Sequence, residues 1–235
     1  MPKQPQRTGK DTDAPKLVIF DFDGVLVDSE VISLSTLRAT LRAFGAPLSD
    51  TEVRDRFLGS SIRQITAFLD TVAAPAFPAA EFEARWYATL FDRFRRDLAP
   101  MPGALALLDH LDVTGRAFCI ASGSAMERLG VALDATGLAA RFGDRVYSAD
   151  IVQRGKPAPD IFLHAAREMG FEPSRCMVIE DSPAGATAAR AAGMQSLGFV
   201  GGAHLRGQED AHREILLSLQ VDAVLDDLGA VRDFL

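Results

Sequence analysis

The amino-acid sequence predicts an α/β protein with a doubly wound parallel sheet and an all-helical subdomain inserted after its first strand. Beyond residue 102, short β-prone runs alternate with helical patterns, which is typical of a parallel sheet with helices on both faces. An apolar run at 17–20 supplies an earlier strand. Residues 33–97 contain helical patterns but no strand-like run, so we expect a cap over the carboxyl edge of the sheet.

The first predicted helix follows the first strand directly. Leu34, Leu37 and Leu41 recur there at three- and four-residue spacing, and Gly45 ends the pattern. Similar patterns predict helices at 30–44, 49–57, 60–72, 80–98, 103–112, 124–136, 158–169, 183–192 and 209–219. The β-prone runs after the cap predict strands at 116–121, 145–148, 176–179, 196–200 and 223–225.

These patterns divide the chain into three parts. Residues 1–15 are polar and lack the apolar middle region of a signal peptide, so we expect a disordered tail. Residues 16–32 and 98–235 form the predicted α/β core, and residues 33–97 form the helical cap. Closure of the cap over the core would use hinges near residues 30–33 and 97–102.

Composition places the chain among ordinary globular proteins, since 48% of its residues are hydrophobic and 24% are charged. No apolar stretch approaches the roughly 18 residues of a membrane-spanning helix. Cys119 and Cys176 each lie in an apolar strand-like run, which predicts two buried thiols and not a disulfide. We therefore expect a cytoplasmic protein.

The charge balance limits the partners of the protein. The formal net charge is −7 and the pI is near 5.1, which argues against broad binding to nucleic acid or to an anionic membrane surface. A local cluster of donors can still bind a small anionic substrate. A monomer is the default expectation.

Two carboxylates, Asp21 and Asp23, follow the first strand and are themselves followed by Gly24. Because the chain turns at the glycine, both acids can reach one site at the carboxyl end of the strand. Clustered acids need a counter-charge, and Mg²⁺ suits them because it takes few protein carboxylates and leaves room for phosphate oxygens. The alternative is an ordinary strand with an acidic turn.

Three more predicted strand ends carry polar residues. Ser122-Gly123-Ser124 opens a helix whose free N–H groups suit phosphate, although Ser124 also fits a plain N-cap. Lys156 is the only lysine outside the tail and its border, in a chain with 21 arginines and four lysines. It can neutralise phosphate, or it can be a solvated turn residue. Glu180-Asp181 would complete an oxygen-ligand set for Mg²⁺, or simply begin a helix.

Together these segments resemble the motifs of the haloacid dehalogenase superfamily, in the branch that carries a helical cap after the first motif. The matching segments are DFDGVLVDS at 21–29, IASGS at 120–124, GKPAPD at 155–160 and VIEDSPAG at 178–185. The resemblance extends from about Lys16 to the C-terminus. It implies a Rossmann-like core, Mg²⁺ as cofactor and chemistry on phosphate esters.

The resemblance also implies residue roles. Asp21 would attack phosphorus and form an aspartyl-phosphate. Asp23 would protonate the leaving oxygen and then activate water, while its backbone carbonyl binds the metal. The residues implied for phosphoryl binding are Ser122, Gly123 and Lys156, and those implied for the metal are Asp21, Asp23, Glu180 and Asp181.

Two positions distinguish members of this branch. Members that remove halide lack an acid at the position of Asp23, so this residue indicates phosphate esters. The β-phosphoglucomutase-like phosphotransferases carry a histidine where this chain has Ser33, and hydrolysis is therefore favoured over mutase activity.

The cap loop at 57–61 resembles the segment that meets the substrate in this branch. Substrate contacts are predicted at Gly59, Ser60, Ser61 and Arg63. For each of the arginines Arg54, Arg56 and Arg63, a solvated helix face is the favoured interpretation, and contact with sugar hydroxyls is the alternative. Trp86 and Phe91 are predicted to pack the interior of the cap.

The predicted function is a Mg²⁺-dependent phosphatase that hydrolyses small phosphorylated metabolites, sugar phosphates above all, through an aspartyl-phosphate. A β-phosphoglucomutase-like phosphotransferase is the alternative. A third hypothesis is a protein that binds phosphorylated metabolites without turnover.

Overall fold

The computed structural model describes residues 14–59, 62–72 and 78–235 of the 235-residue chain. Most of the predicted disordered tail, residues 1–13, lies outside this part. Ser60 and Ser61 of the predicted substrate loop also lie outside it, as does the side chain of Arg63.

One parallel sheet forms the centre of the core. Its strands are β1 (Leu17–Phe20), β2 (Ala117–Ser122), β3 (Val146–Ser148), β4 (Cys176–Glu180), β5 (Gln195–Phe199) and β6 (Ala223–Leu225). They lie in the order β3-β2-β1-β4-β5-β6, and every neighbouring pair is parallel. The chain order reverses at β1, which has β2 on one side and β4 on the other. A crevice at the carboxyl ends of these strands is the usual ligand site of such a sheet.

Four helices lie between β1 and the remaining core. They are α1 (Ser29–Ala43), α2 (Asp50–Phe57), α3 (Ile62–Val72) and α4 (Ala79–Asp97). Trp86 and Phe91 of α4 are buried, as predicted. The core helices are α5 (Ala104–Val113), α6 (Met126–Thr136), α7 (Ala139–Phe142), α8 (Asp160–Met169), α9 (Pro183–Ala191) and α10 (Glu209–Ser218). Short 3₁₀ helices occur at 149–151, 173–175, 203–205 and 228–234.

Both faces of the sheet are covered, which confirms the doubly wound architecture. Along β1, Val18 and Phe20 join the apolar cluster that contains α5 and the cap helices, while Leu17 and Ile19 join the cluster that contains α8 and α9. Because strand side chains alternate between faces, a strand that is apolar at every position needs a cover on both sides.

The predicted strands all exist, with ends that differ by one residue at most. Among helices whose predicted first residue is described, two begin two residues later than predicted, α6 at Met126 and α8 at Asp160. Pro159 explains the second shift, because a residue that precedes proline disfavours helical backbone. The single-turn helix α7 was missed, since four residues between Gly137 and Gly143 carry no measurable period.

The two segments that join core and cap run side by side. The Met101 N–H donates to the carbonyl of Leu26 at 2.8 Å, and Val27 forms an isolated bridge with Pro100. The predicted hinge at 30–33 falls inside α1, and the domain boundaries at 33 and 97 stay predictions. Among the described residues, no helix has the length and apolar character needed to cross a membrane.

Candidate active site

Three buried carboxylates meet at the carboxyl ends of β1 and β4. Asp21 follows β1, Glu180 ends β4, and Asp181 follows it. One carboxylate oxygen from each residue lies within 4.8 Å of the others. Because β1 and β4 are paired in register, Phe20 with Ile179, the acids that follow them are brought together by the sheet itself. The predicted acidic site therefore forms at this edge.

Lys156 supplies the positive charge at this cluster. Its Nζ donates to Oδ1 of Asp21 at 2.6 Å and to Oε1 of Glu180 at 2.5 Å, and its side chain is 9% exposed. Burial alone would lower the pKa of Lys156, but the charges of Asp21 and Glu180 raise it above its ordinary value. The alternative of a solvated turn lysine is therefore wrong.

The charge of Asp21 is only partly balanced by this lysine. Burial raises the pKa of Asp21 well above its ordinary value, Lys156 opposes that rise, and the charges of Glu180 and Asp181 add to it. Three carboxylates face the ammonium of Lys156 and the imidazole of His204, so the ionised site keeps an excess of negative charge even when His204 is protonated. Such a donor set fits a hard divalent cation.

Glu180 is anchored more firmly than its neighbours. Besides Lys156, its carboxylate accepts hydrogen bonds from the backbone N–H and the hydroxyl of Ser182, both at 2.9 Å. Gly185 makes room for it, because a Cβ at that glycine would lie 1.8 Å from the Glu180 carboxyl group. Ser182, not the acidic pair, caps α9. Glu180 thus lies at the start of α9, as the alternative interpretation expects, and also bonds Lys156 in the acid cluster.

The side chain of Asp23 turns away from these acids. Its carboxylate accepts from the Ser124 hydroxyl at 2.6 Å, from Nη2 of Arg128 at 2.8 Å and from the Ser29 hydroxyl. Burial opposes ionisation of Asp23, but Arg128 and the two hydroxyls together lower its pKa. The Ser124 hydroxyl thus donates to Asp23 and does not cap α6, whose N-cap position is Ala125. The N-cap alternative for Ser124 is wrong.

The turn after β1 requires glycine. Gly24 has a φ of 83°, and a Cβ there would lie 2.0 Å from Oδ2 of Asp181. Beside it, Nε2 of His204 lies 3.1 Å from the same Asp181 oxygen, and the His204 side chain is 3% exposed. Burial alone would lower the pKa of His204, but its hydrogen bond to Asp181 raises it.

The predicted phosphoryl-binding residues lie beside the acids. Ser122 ends β2, the neighbour of β1, and its hydroxyl accepts from the backbone N–H of Ser124 at 3.0 Å. Gly123 follows and is exposed, with open space where a Cβ would stand. The loop therefore leaves room for a ligand at the sheet edge where Asp21 also lies.

The predicted cap contacts are described only in part. Gly59 has a φ of 70° and open space around it. Arg54 pairs with Asp55 at 3.4 Å, and the guanidinium of Arg56 lies 5.1 Å from the ring centre of Phe68. Substrate contacts at Gly59, Ser60, Ser61 and Arg63 stay predictions.

Sequence patterns missed Arg128, His204 and Glu30. Arg128 is one of 21 arginines, and nothing in its helical pattern separates it from a solvated residue. His204 lies in no sequence pattern that is typical of metal ligands. Glu30 lies in the first turn of α1, where an acid is common, yet its side chain is only 13% exposed and lies 3.6 Å from Arg128. Only spatial proximity reveals these three.

Fold and site together identify a hydrolase. The family model of haloacid dehalogenase-like hydrolases matches residues 15–193. The chain belongs to that family, and the prediction of an enzyme of the phosphoric monoester hydrolase class is confirmed with it.

Two relatives and a solved structure illustrate the family. The chain is 30% identical over 187 residues to 6-phosphogluconate phosphatase of Escherichia coli (strain K12), covering 80% of this chain and 83% of the relative. It is 33% identical over 218 residues to the probable pseudouridine-5'-phosphatase of Drosophila melanogaster, covering 90% and 92%. The crystal structure of a HAD family hydrolase from Deinococcus radiodurans R1, with bound phosphate and sodium, has a TM-score of 0.75 and 33% identity, covering 94% of this chain and 95% of that one.

Proposed function

We propose that this chain is a Mg²⁺-dependent phosphatase of small phosphorylated metabolites, sugar phosphates above all, and that Asp21 forms an aspartyl-phosphate. The observation that carries the proposal is the cluster of Asp21, Glu180 and Asp181 with Lys156 bonded to two of its members. The names of the two relatives support the substrate class, because each is a phosphatase of a small phosphorylated compound.

The metal would be held by the carboxylates of Asp21, Glu180 and Asp181 and by the backbone carbonyl of Asp23. Three carboxylates with oxygens within 4.8 Å of one another offer the hard oxygen ligands that such a cation takes. When bound, Mg²⁺ would offset the repulsion between a carboxylate and a phosphate dianion and orient the phosphoryl oxygens.

In the first step an Asp21 carboxylate oxygen bonds to phosphorus while the bond from phosphorus to the ester oxygen breaks. The dianionic phosphate of a bound ester would oppose the effect of Arg128 and raise the pKa of Asp23, which then takes up a proton from solvent. Asp23 in this acid form gives its proton to the ester oxygen, and the alcohol leaves. In the second step water attacks the phosphorus of the aspartyl-phosphate while the bond from phosphorus to the Asp21 oxygen breaks. The Asp23 carboxylate takes a proton from the water, and the Asp21 carboxylate and inorganic phosphate are released. Lys156, Ser122 and the Gly123 N–H hold the phosphoryl oxygens in both steps.

A phosphate-release assay tests this proposal. The substrates are sugar phosphates and p-nitrophenyl phosphate, each assayed with Mg²⁺ or with EDTA. The proteins are the native chain, Asp21→Asn and the control Asp109→Asn. Asp109 is a matched control because its side chain is 66% exposed and pairs with Arg141 outside the acid cluster. We expect Asp21→Asn or EDTA to lower kcat by more than about a thousandfold and the control to leave it unchanged. Hydroxylamine should trap an acyl-hydroxamate on Asp21, seen by mass spectrometry.

Two other outcomes would replace the proposal. Isomerisation of β-glucose 1-phosphate without phosphate release would identify a mutase. Saturable binding of a sugar phosphate without either reaction would identify a binding protein.

A further inference from the structure

The guanidinium of Arg128 is the cationic group that holds the side chain of Asp23. It projects from α6, and its side chain is 12% exposed. Its Nη2 donates to Oδ1 of Asp23 at 2.8 Å, across 105 residues of sequence. The other two donors to this carboxylate, the hydroxyls of Ser29 and Ser124, are uncharged. All three donors bond a carboxylate, but Arg128 alone adds the attraction of an opposite charge, so it contributes most to holding the Asp23 side chain.

The same guanidinium contacts the cap helices. Its Nη2 donates to the Ser33 hydroxyl on α1 at 3.1 Å, and it lies 3.6 Å from the carboxylate of Glu30. Its Cζ lies 5.6 Å from the ring centre of Phe94, a fully buried residue of α4. A side chain of the core thus contacts Asp23 and both of the long helices between β1 and the rest of the core.

We infer that Arg128 is a positioning residue that orients the carboxyl group of Asp23 for proton transfer, and that Ser33 helps to orient Arg128. This inference rests on the proposed phosphatase function. A planar guanidinium has a fixed fork of donors, so contacts on one side restrict the direction of the others. Ser33 and Phe94 on the cap helices limit the orientations of the Arg128 guanidinium, and the guanidinium limits the orientations of the Asp23 carboxyl group. The orientation of Asp23 therefore depends on the cap being seated on the core.

The step affected is the transfer of the Asp23 proton to the ester oxygen while the bond from that oxygen to phosphorus breaks. An alkoxide is a poor leaving group and needs this proton, whereas p-nitrophenolate leaves without it. A misplaced Asp23 should therefore slow the cleavage of an alkyl ester more than that of the nitrophenyl ester.

The test compares kcat/KM for benzyl phosphate and p-nitrophenyl phosphate, two esters of similar size. This parameter reports on phosphoryl transfer to Asp21, since the alcohol is released there. We expect Arg128→Met to lower kcat/KM for benzyl phosphate about tenfold or more beyond its effect on p-nitrophenyl phosphate. Asp23→Asn should lower kcat/KM for benzyl phosphate relative to p-nitrophenyl phosphate by a still larger factor. Arg128→Lys should keep a higher kcat/KM for benzyl phosphate than Arg128→Met.

Controls separate positioning from folding. Arg141→Met removes an arginine that bonds Asp109 and Asp112 at 2.6 and 2.7 Å outside the site, and both esters should keep their native rates. Equal losses on both esters in a folded Arg128→Met protein would overturn the inference and leave the phosphatase intact. Failure of the native chain on both esters would instead remove the proposed function, and the inference with it.

The role of Ser33 is tested by a double-mutant cycle. Ser33→Ala should lower kcat/KM for benzyl phosphate a few-fold relative to p-nitrophenyl phosphate, and this effect should disappear when Arg128 is already methionine. An effect of Ser33→Ala that persists undiminished in the Arg128→Met background would show that Ser33 does not act through Arg128.

Discussion

At the scale of single residues, Lys156 supplies the positive charge that partly balances the acids of the site. It is one of two lysines in the described part of the chain; the other, Lys16, is exposed. Its ammonium bonds Asp21 and Glu180 in a region that water barely reaches. A buried charge that loses its partner is strongly destabilising, so the acids depend on this lysine even without substrate.

Replacing Lys156 with methionine should therefore destabilise the metal-free protein. We expect Lys156→Met to lower the free energy of unfolding by about 3–5 kcal/mol near pH 8 in EDTA, measured by urea denaturation. The pKa of Asp21 is already raised in the folded state, and losing the ammonium raises it further. The folded variant then binds a proton where the unfolded chain is ionised, so its stability deficit should shrink as the pH falls.

The control for this prediction is Lys16→Met, which removes an exposed ammonium and should change stability by less than about 0.5 kcal/mol. A deficit in Lys156→Met that is the same at all pH values would show that the acids do not cause it.

At the scale of elements, the turn after β1 brings the first motif against the end of β4. Gly24 combines a left-handed backbone with a close approach to Asp181 and His204. A side chain there is strained by its φ and also displaces a predicted metal ligand. The structure offers a position where only the first of these effects operates: Gly137 has a φ of 71° and open space around it.

Each of Gly24→Ala and Gly137→Ala should lose roughly 1–2 kcal/mol of unfolding free energy to backbone strain. Gly24→Ala should lose more than Gly137→Ala, because its Cβ would lie 2.0 Å from Oδ2 of Asp181. Gly24→Ala alone should weaken Mg²⁺ binding, by about 10–100-fold, because Asp181 is pushed from its place. Urea denaturation and isothermal titration with Mg²⁺ measure the two effects. Native Mg²⁺ affinity in Gly24→Ala would contradict the placement of the metal beside Asp181.

At the scale of the whole molecule, the central sheet is buried on both faces. The two cysteines lie in this sheet, so their reactivity reports on its burial. Cys119 in β2 and Cys176 in β4 are both free and fully buried. Burial raises the pKa of Cys176 to about 11 and raises that of Cys119 as well. The predicted buried thiols are confirmed.

Thiol modification should accordingly follow unfolding of the whole protein. With Ellman's reagent near pH 8 we expect almost no reaction of the native chain and two thiols per chain in guanidinium chloride. The rate in the native state should rise with denaturant as the sheet opens. Rapid reaction of one thiol in the native protein would show that one face of the sheet opens without the rest.

The sequence by itself determined the sheet, the order of its motifs and the family. Those features depend on short stretches of chain: a strand that is apolar at every position, and polar residues directly after it. Asp21 and Asp181 could be assigned to one site because adjacent parallel strands end at the same edge.

Tertiary structure alone decided which side chains complete that site. Arg128 reaches Asp23 from 105 residues away, and His204 reaches Asp181 from beyond β5. It also decided that the carboxylate of Asp23 faces α6 and not the acid cluster. These contacts depend on how the helices pack against the sheet, and packing of distant segments leaves no period or spacing in the sequence.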